Sequence, residues 1–142
     1  MKEQPIRFTP EGIKTFTTEL EQLKDKRKEK QRTDPKADVS FLNERIDELE
    51  TLMRSAAVFE KPQSEDVIET GAFVKLRDTE FNEYVEYRVV NRFEADPLKN
   101  KCSEDSAIGR ALVGRKVGDE ITIETTGGPL TYAILAVEYR NT

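Results

Sequence analysis

Apolar residues recur every three or four positions through the first third of the chain and every second position through much of the rest. The first run is Ile13, Phe16, Leu20 and Leu23, with Arg27 and Lys30 at the next two seam positions. The second is Val39, Leu42, Ile46, Leu49, Met53 and Ala56, flanked by Glu44, Arg45, Asp47 and Glu48. Such spacing predicts two amphipathic helices. Thr9-Pro10-Glu11 starts the first, with Thr9 as cap, Pro10 in the first turn and an acid where the helix dipole favours it. Neither helix buries its stripe alone, so Thr33-Asp34-Pro35 is expected to fold the chain back into an antiparallel hairpin. A reversal near Thr33 sets Leu23 against Leu42, Leu20 against Ile46, Phe16 against Leu49 and Ile13 against Met53. If Asp38 or Ser40 caps the second helix, the register shifts and the tip loop lengthens. The seam is apolar at its base and charged toward its tip, so the base holds the hairpin and the last turns are expected to fray.

Pro62-Gln63-Ser64-Glu65 is a polar break and the expected domain boundary, with residues 1–61 as the hairpin and 62–142 as a second unit. Beyond it, Ala72, Val74 and Leu76 alternate with polar or outward positions, as do Val85, Tyr87 and Val89, which predicts half-buried strands. Asp78 to Glu83 turns the first onto the second, and Glu94 to Lys101 reads as a loop. Ser106 caps a short helix carrying Ile108, Ala111 and Leu112, and Gly114 stops it. Val117-Gly118-Asp119 turns into the strand Glu120–Thr125. Thr126-Gly127-Gly128-Pro129 then forms a hairpin with Leu130–Tyr139, whose apolar phase changes between Ile134 and Leu135 and so predicts a bulge or a strand covered on both faces. The fold class is α+β: an antiparallel helical hairpin followed by an antiparallel sheet with a short helix.

Charge refines the picture. Residues 1–61 hold 13 Lys/Arg and 13 Asp/Glu, while 62–142 hold 10 and 15, so the second unit carries the whole net charge of -5. That argues against a general DNA-binding surface there. The chain has no histidine and one cysteine, Cys102, which reads as a bystander without a base. Zinc chemistry and a stand-alone enzyme are not expected, and no cofactor is implied. No long apolar run and no signal-like N-terminus are present, so a cytoplasmic protein without a membrane segment is expected.

Two local features bear on partners. The basic arm Lys24, Lys26, Arg27, Lys28, Lys30 and Arg32 is either a solvated helix end or, at a projecting tip, a surface that approaches phosphates. Asp34 and Asp38 are four residues apart and form one conceivable magnesium pair. The preferred reading gives Asp34 an N-cap role before Pro35 and leaves Asp38 capping or solvated, with no metal site.

The stretch IGRALVGRKVGDE, the Gly127-Gly128 turn and the closing strand resemble the C-terminal domain of the bacterial Gre transcription elongation factors. FTPEGIKTFTTELEQLK and RIDELETLMRSAAVFE are similar to the two arms of the Gre coiled coil, so the resemblance covers nearly the whole chain. It implies a coiled-coil hairpin that enters the secondary channel of bacterial RNA polymerase and an FKBP-like C-terminal domain that docks at the channel rim. In typical members an acidic tip helps hold the catalytic Mg²⁺ for cleavage of backtracked RNA. Here only residues 25–44 separate the matched arm segments, so each arm is shorter by roughly nine residues, or about 14 Å at about 1.5 Å per residue. The family's Asp-Leu-Ser-Glu-Asn tip is matched at Asp38-Val39-Ser40, but Phe41 stands at the glutamate. The tip set is therefore Asp34, Lys36, Asp38 and Ser40. The family's Asp-Ser-Pro docking stretch corresponds to Asp105-Ser106-Ala107, with Gly109 in the helix behind it.

The resemblance thus implies a polymerase-binding elongation regulator, with non-cleaving occupancy of the channel preferred over cleavage, as in short-armed proteins of the Rnk type. Contact with nascent RNA inside the elongation complex is a further implication. The alternatives are an FKBP-like peptidyl-prolyl isomerase and a coiled-coil adaptor without a polymerase role. Asp105→Asn, or a bulky residue at Gly109, is expected to weaken docking while leaving the fold intact.

Overall fold

The computed structural model describes residues 6–58 and 66–140. The expected boundary at Pro62–Glu65 and the N-terminal MKEQP segment lie outside the described residues.

The first apolar run forms helix α1 (Pro10–Thr33) and the second forms α2 (Ser40–Arg54). Thr9 caps α1 as expected, its hydroxyl oxygen accepting the Gly12 N–H at 2.9 Å. Leu20 and Leu23 pack on Val39, Leu42 and Ile46, a cluster that holds the partners Leu42 and Ile46 expected for a reversal near Thr33. Phe16 meets Phe8 edge-on, with ring centres 5.7 Å apart. Beyond Leu23 the helix does not end but continues through Thr33, and polar links join the two arms. Arg27 Nη1 donates to Asn43 Oδ1 at 2.9 Å, Lys24 lies 3.1 Å from Glu50, and Arg45 lies 2.7 Å from Glu19.

The tip departs from expectation: the last turns of α1 are helical through Thr33 rather than frayed, and neither Asp34 nor Asp38 nor Ser40 caps α2. Pro35 disfavours helical backbone at the residue before it, and Asp34 is extended (φ -142°, ψ 97°), so it terminates α1. Its N–H donates to the Lys30 carbonyl at 2.9 Å. α2 begins only at Ser40, with Val39 at the cap position and no side-chain cap bond.

Two three-residue strands, β1 (Ile6–Phe8) and β2 (Ala56–Val58), pair in parallel at the base of the hairpin. They are too short to register as a periodicity and were not expected.

The alternating segments form β3 (Phe73–Asp78) and β4 (Tyr84–Val90); then come β5 (Lys101–Ser103), β6 (Glu120–Thr125) and β7 (Gly128–Glu138). Their order across one sheet is β5-β4-β3-β7-β6. The sheet is mixed rather than antiparallel, because β5 runs parallel to β4. The chain leaving β4 crosses through a 3-10 turn at Pro97–Lys99, capped by Asp96, and re-enters beside Arg88 in the same direction. The expected loop from Glu94 thus ends inside a strand. The bulge in β7 is where the apolar phase slips: Ile134 pairs with Leu76 and Ala136 with Lys75, leaving Leu135 over.

Helix α3 (Ala107–Leu112) covers one face of the sheet and buries Leu112 among Ile68, Val74, Leu76, Val89, Ile121 and Ile134. Gly114 follows it with φ +88°, a left-handed conformation that stops the helix where expected. On the other face, Arg88, Val90 and Asn91 are also buried. The chain entering α1 crosses there, and Asn91 donates to the Arg7 carbonyl at 2.8 Å. Among the described residues no helix is long and apolar enough to cross a membrane.

Candidate functional site

At the hairpin tip, both candidate carboxylates are turned to their own backbone. Asp34 Oδ1 accepts the Lys36 N–H at 3.0 Å and Asp38 Oδ1 accepts the Ser40 N–H at 3.0 Å. Bonds from the Ser40 side chain and backbone hold the Asp38 carboxyl below the usual carboxylate range, and Lys30 adds to this. Among the described residues no group of three or more His, Cys, Asp or Glu side chains is arranged to hold a metal ion. Phe41, in the first turn of α2, is 80% exposed.

The basic arm divides into two sets. Lys24 is paired with Glu50 and Arg27 with Asn43, which tie the two arms together, while Arg32 is paired with Glu29 (2.5 Å) within α1. Lys26, Lys28 and Lys30 are exposed and make no ion pair among the described residues. Within the basic arm, these three are free to meet an outside anion. Asn43 is the partner that sequence reasoning missed, since an Asn in an apolar seam announces no contact by itself.

The second part of the site is the turn between β5 and α3. Ser106 caps α3: its Oγ accepts the Gly109 N–H at 3.1 Å and donates to the Ser103 carbonyl at 2.6 Å. The Asp105 N–H donates to Ser103 Oγ at 3.0 Å, and its exposed carboxylate stands 3.9 Å from Arg92. Ala107 is exposed at the start of the helix. Behind the turn, the neighbouring Glu104 accepts a hydrogen bond from Thr70. Thus Asp105, Ser106 and Ala107 share one presented turn, whereas Gly109 lies buried beneath it.

Gly109 corrects the expectation attached to it. A Cβ there would lie 1.9 Å from the Ser103 carbonyl oxygen and 2.9 Å from the Glu104 Cα. These are backbone atoms held by the Ser106 cap, so a larger residue disturbs the fold before it reports on docking.

Beside this turn opens a mostly apolar groove of about 740 Å³, lined by Ser106, Ala107, Ile108, Tyr87, Ile123 and Tyr132 among others. Burial, with Tyr87, Asp78 and Glu83 nearby, pushes the Tyr132 hydroxyl above its usual range. The groove was not anticipated, although its signal was the alternation that aims Tyr87, Ile123 and Tyr132 to one side of their strands.

Residues 63–139, which span the sheet, the capped turn and the groove, match the family described as "Transcription elongation factor, GreA/GreB, C-term". The chain belongs to the GreA/GreB family of transcription elongation factors. It is similar along nearly its full length to transcription elongation factor GreA of Clostridium acetobutylicum, at 34% identity over 156 aligned positions covering 96% of this chain and 99% of the relative. A GreA of Clostridium botulinum is 36% identical over 149 positions, covering 92% and 93%. The solved structure of the transcription factor Gfh1 is also similar, with a TM-score of 0.50, 26% identity, and coverage of 96% and 99%. The first alignment spans more positions than the 142 residues of this chain, so that GreA carries residues which this family member lacks.

Proposed function

We propose that this GreA/GreB family member binds bacterial RNA polymerase and lays its α1–α2 hairpin in the secondary channel, regulating elongation without efficiently stimulating transcript cleavage. The carrying observation is the tip. A cleavage factor must bring carboxylates to the polymerase's own metal ion, but here Asp34 and Asp38 serve the turn and exposed Phe41 stands where a second acid is needed. The shortened arm, about 14 Å by helix rise, works in the same direction. In this reading residues 1–61 act as a coiled coil and 62–142 as an FKBP-like docking unit. Asp105, Ser106 and Ala107 present the rim contact, and the groove beside them receives an apolar side chain of the polymerase. Lys26, Lys28 and Lys30 lie near nascent RNA only inside the elongation complex. The acidic second unit gives no independent DNA binding, and the protein works in the cytoplasm.

The test uses stalled, backtracked elongation complexes with Mg²⁺. Added protein is expected to release no more short RNA than buffer, yet to compete with a full-length Gre factor for the polymerase. Robust cleavage that Asp38→Ala abolishes would overturn the non-cleaving reading, and failure to compete would overturn channel occupancy.

A further inference from the structure

On the sheet face beneath the start of α1, away from both the tip and the capped turn, lies a cavity of about 100 Å³ lined by Glu11, Phe73, Glu86, Arg88, Lys99 and Lys101, among others. Arg88 is its most unusual wall. The residue is only 4% exposed, its Nε donates to the Gly71 carbonyl at 3.3 Å, and its guanidinium carbon sits 4.4 Å from the centre of the Phe73 ring. Nη2 has no hydrogen-bond partner among the described residues. Buried cations are ordinarily paired and fully bonded, so an unpaired guanidinium nitrogen here needs an explanation.

The carboxylates present do not supply it. Glu11 stands 3.9 Å from Arg88 Nη1, beyond hydrogen-bond range, and 3.5 Å from Lys101 Nζ. Glu86 is turned to Arg140 at 3.4 Å. Glu94 is taken up by Thr9 and Asn91. Meanwhile the parallel pairing of β4 with β5 sets Lys101 beside Arg88, and Lys99 lines the same cavity from the 3-10 turn. Desolvation lowers the basicity of Arg88, and Arg140 adds to this against the opposing effect of Glu94 and Glu11.

We propose that this cavity binds a single phosphoryl-class oxyanion, held by Arg88, Lys101 and Lys99, and that Glu11 is the side chain the anion displaces. The volume suits one tetrahedral group, and an arginine fork flanked by ammonium groups matches several anionic oxygens at once. Glu11 is half-exposed and free to swing to solvent. With it withdrawn, three cations and the Arg140-paired Glu86 line the cavity, and the anion replaces two loose ion pairs by several short ones. Binding would also release the tie that Glu11 makes between α1 and the sheet.

The test is a titration of the full chain at constant ionic strength, followed by amide NMR, with inorganic phosphate, chloride, and a short single-stranded RNA without terminal phosphate. Phosphate is expected to shift the Gly12, Arg88, Asn100 and Lys101 amides saturably, while chloride does not. Lys101→Gln should weaken this about fivefold, and Glu11→Gln should tighten it about fivefold, because the competing carboxylate is gone. Both positions tolerate substitution better than buried Arg88. Saturable shifts at these amides by RNA but not phosphate would keep the site and identify its ligand as a backbone phosphate. No saturable shift by either, or shifts indifferent to both substitutions, would overturn the proposal.

Discussion

Glu94 reaches from the loop after β4 to the residue before α1, where its carboxylate takes both the backbone N–H of Thr9, at 3.0 Å, and the Thr9 hydroxyl. Thr9 in turn caps the helix, so one carboxylate of the sheet unit fixes the start of the hairpin and places a negative charge at the helix N-terminus. Gly12 makes room for it: a Cβ there would stand 2.0 Å from Glu94 Oε1. Gly12→Ala should therefore destabilise the protein by roughly 1–2 kcal/mol as the carboxylate is driven out. In a Glu94→Ala background the same change should instead stabilise by up to about 1 kcal/mol, since only the helix preference of alanine remains. Urea unfolding of the four proteins reads the sign, and an equal effect in both backgrounds would refute the contact.

Gly109 and Asp105 separate folding from the proposed docking. Gly109→Ala should lower the urea midpoint by an amount equivalent to about 2 kcal/mol or more, because its Cβ meets the Ser103 carbonyl oxygen. Asp105→Asn keeps the turn, whose bonds come from Ser103 and Ser106, and loses only a loose, exposed pair with Arg92. Its stability should stay within about 0.5 kcal/mol of the parent while its affinity for polymerase core falls. Unchanged affinity in a competition assay would remove Asp105 from the docking surface.

What the sequence disclosed follows from the range of the forces involved. Side-chain period and local caps are near-neighbour effects, so the two helices, the Thr9 and Ser106 caps and the stop at Gly114 were readable, and of the two readings of the phase change at Leu135 the structure has the bulge. Asp34 was ambiguous, because an aspartate before proline suits the end of one helix as well as the start of the next. The Thr9–Glu94 bond joins residues 85 apart, and the Arg88 cavity depends on a parallel strand pairing made through an irregular crossover. Neither leaves a periodic trace. Of the candidate site, the capped turn at Asp105–Ala107 was legible as local structure, whereas the groove beside that turn emerged only when Tyr87, Ile123 and Tyr132 were brought together.

The Arg27–Asn43 bond stands where an apolar layer would otherwise continue the hairpin seam. Asn43→Ala should leave the half-buried Arg27 without its partner, costing about 1 kcal/mol. The double replacement Arg27→Leu with Asn43→Leu should recover that loss and raise the thermal midpoint above the parent, since a packed apolar pair commonly exceeds a half-buried polar one. A double variant no more stable than Asn43→Ala would mean that the register at this level is not the one described.

Cys102 provides a pH signature of the sheet core. It is buried between strand and helix, and burial pushes its thiol up to about 11 from an ordinary value of 9.0. The unfolded chain therefore loses this proton first as pH rises. Stability is fully present below pH 9 and declines toward pH 11, by at most about 2–3 kcal/mol from this group. Lysines and tyrosines titrate in the same range, so the measurement is the difference between parent and Cys102→Ala. The variant should start lower, from lost packing, and show a shallower alkaline decline; parallel curves would exclude the buried thiol as a source.

The proposed non-cleaving reading rests on two deficits at the tip, a missing acid and a missing length, and these make separable predictions about cleavage. Phe41→Glu supplies a second carboxylate on the exposed first turn of α2, where little packing is lost. It does nothing for reach, and a carboxylate about 14 Å short of a metal ion gives no ligation. Extending both arms by roughly nine residues each, in apolar seam register, restores reach but leaves Asp38 alone with its Ser40 bonds. Each change by itself should leave backtracked complexes uncleaved, and only the combination should release short RNA in a Mg²⁺-dependent reaction that Asp38→Ala removes. Cleavage by Phe41→Glu alone would show that the short hairpin reaches the catalytic ion and that the acid was the sole deficit. Cleavage by the extended hairpin alone would assign the deficit to length.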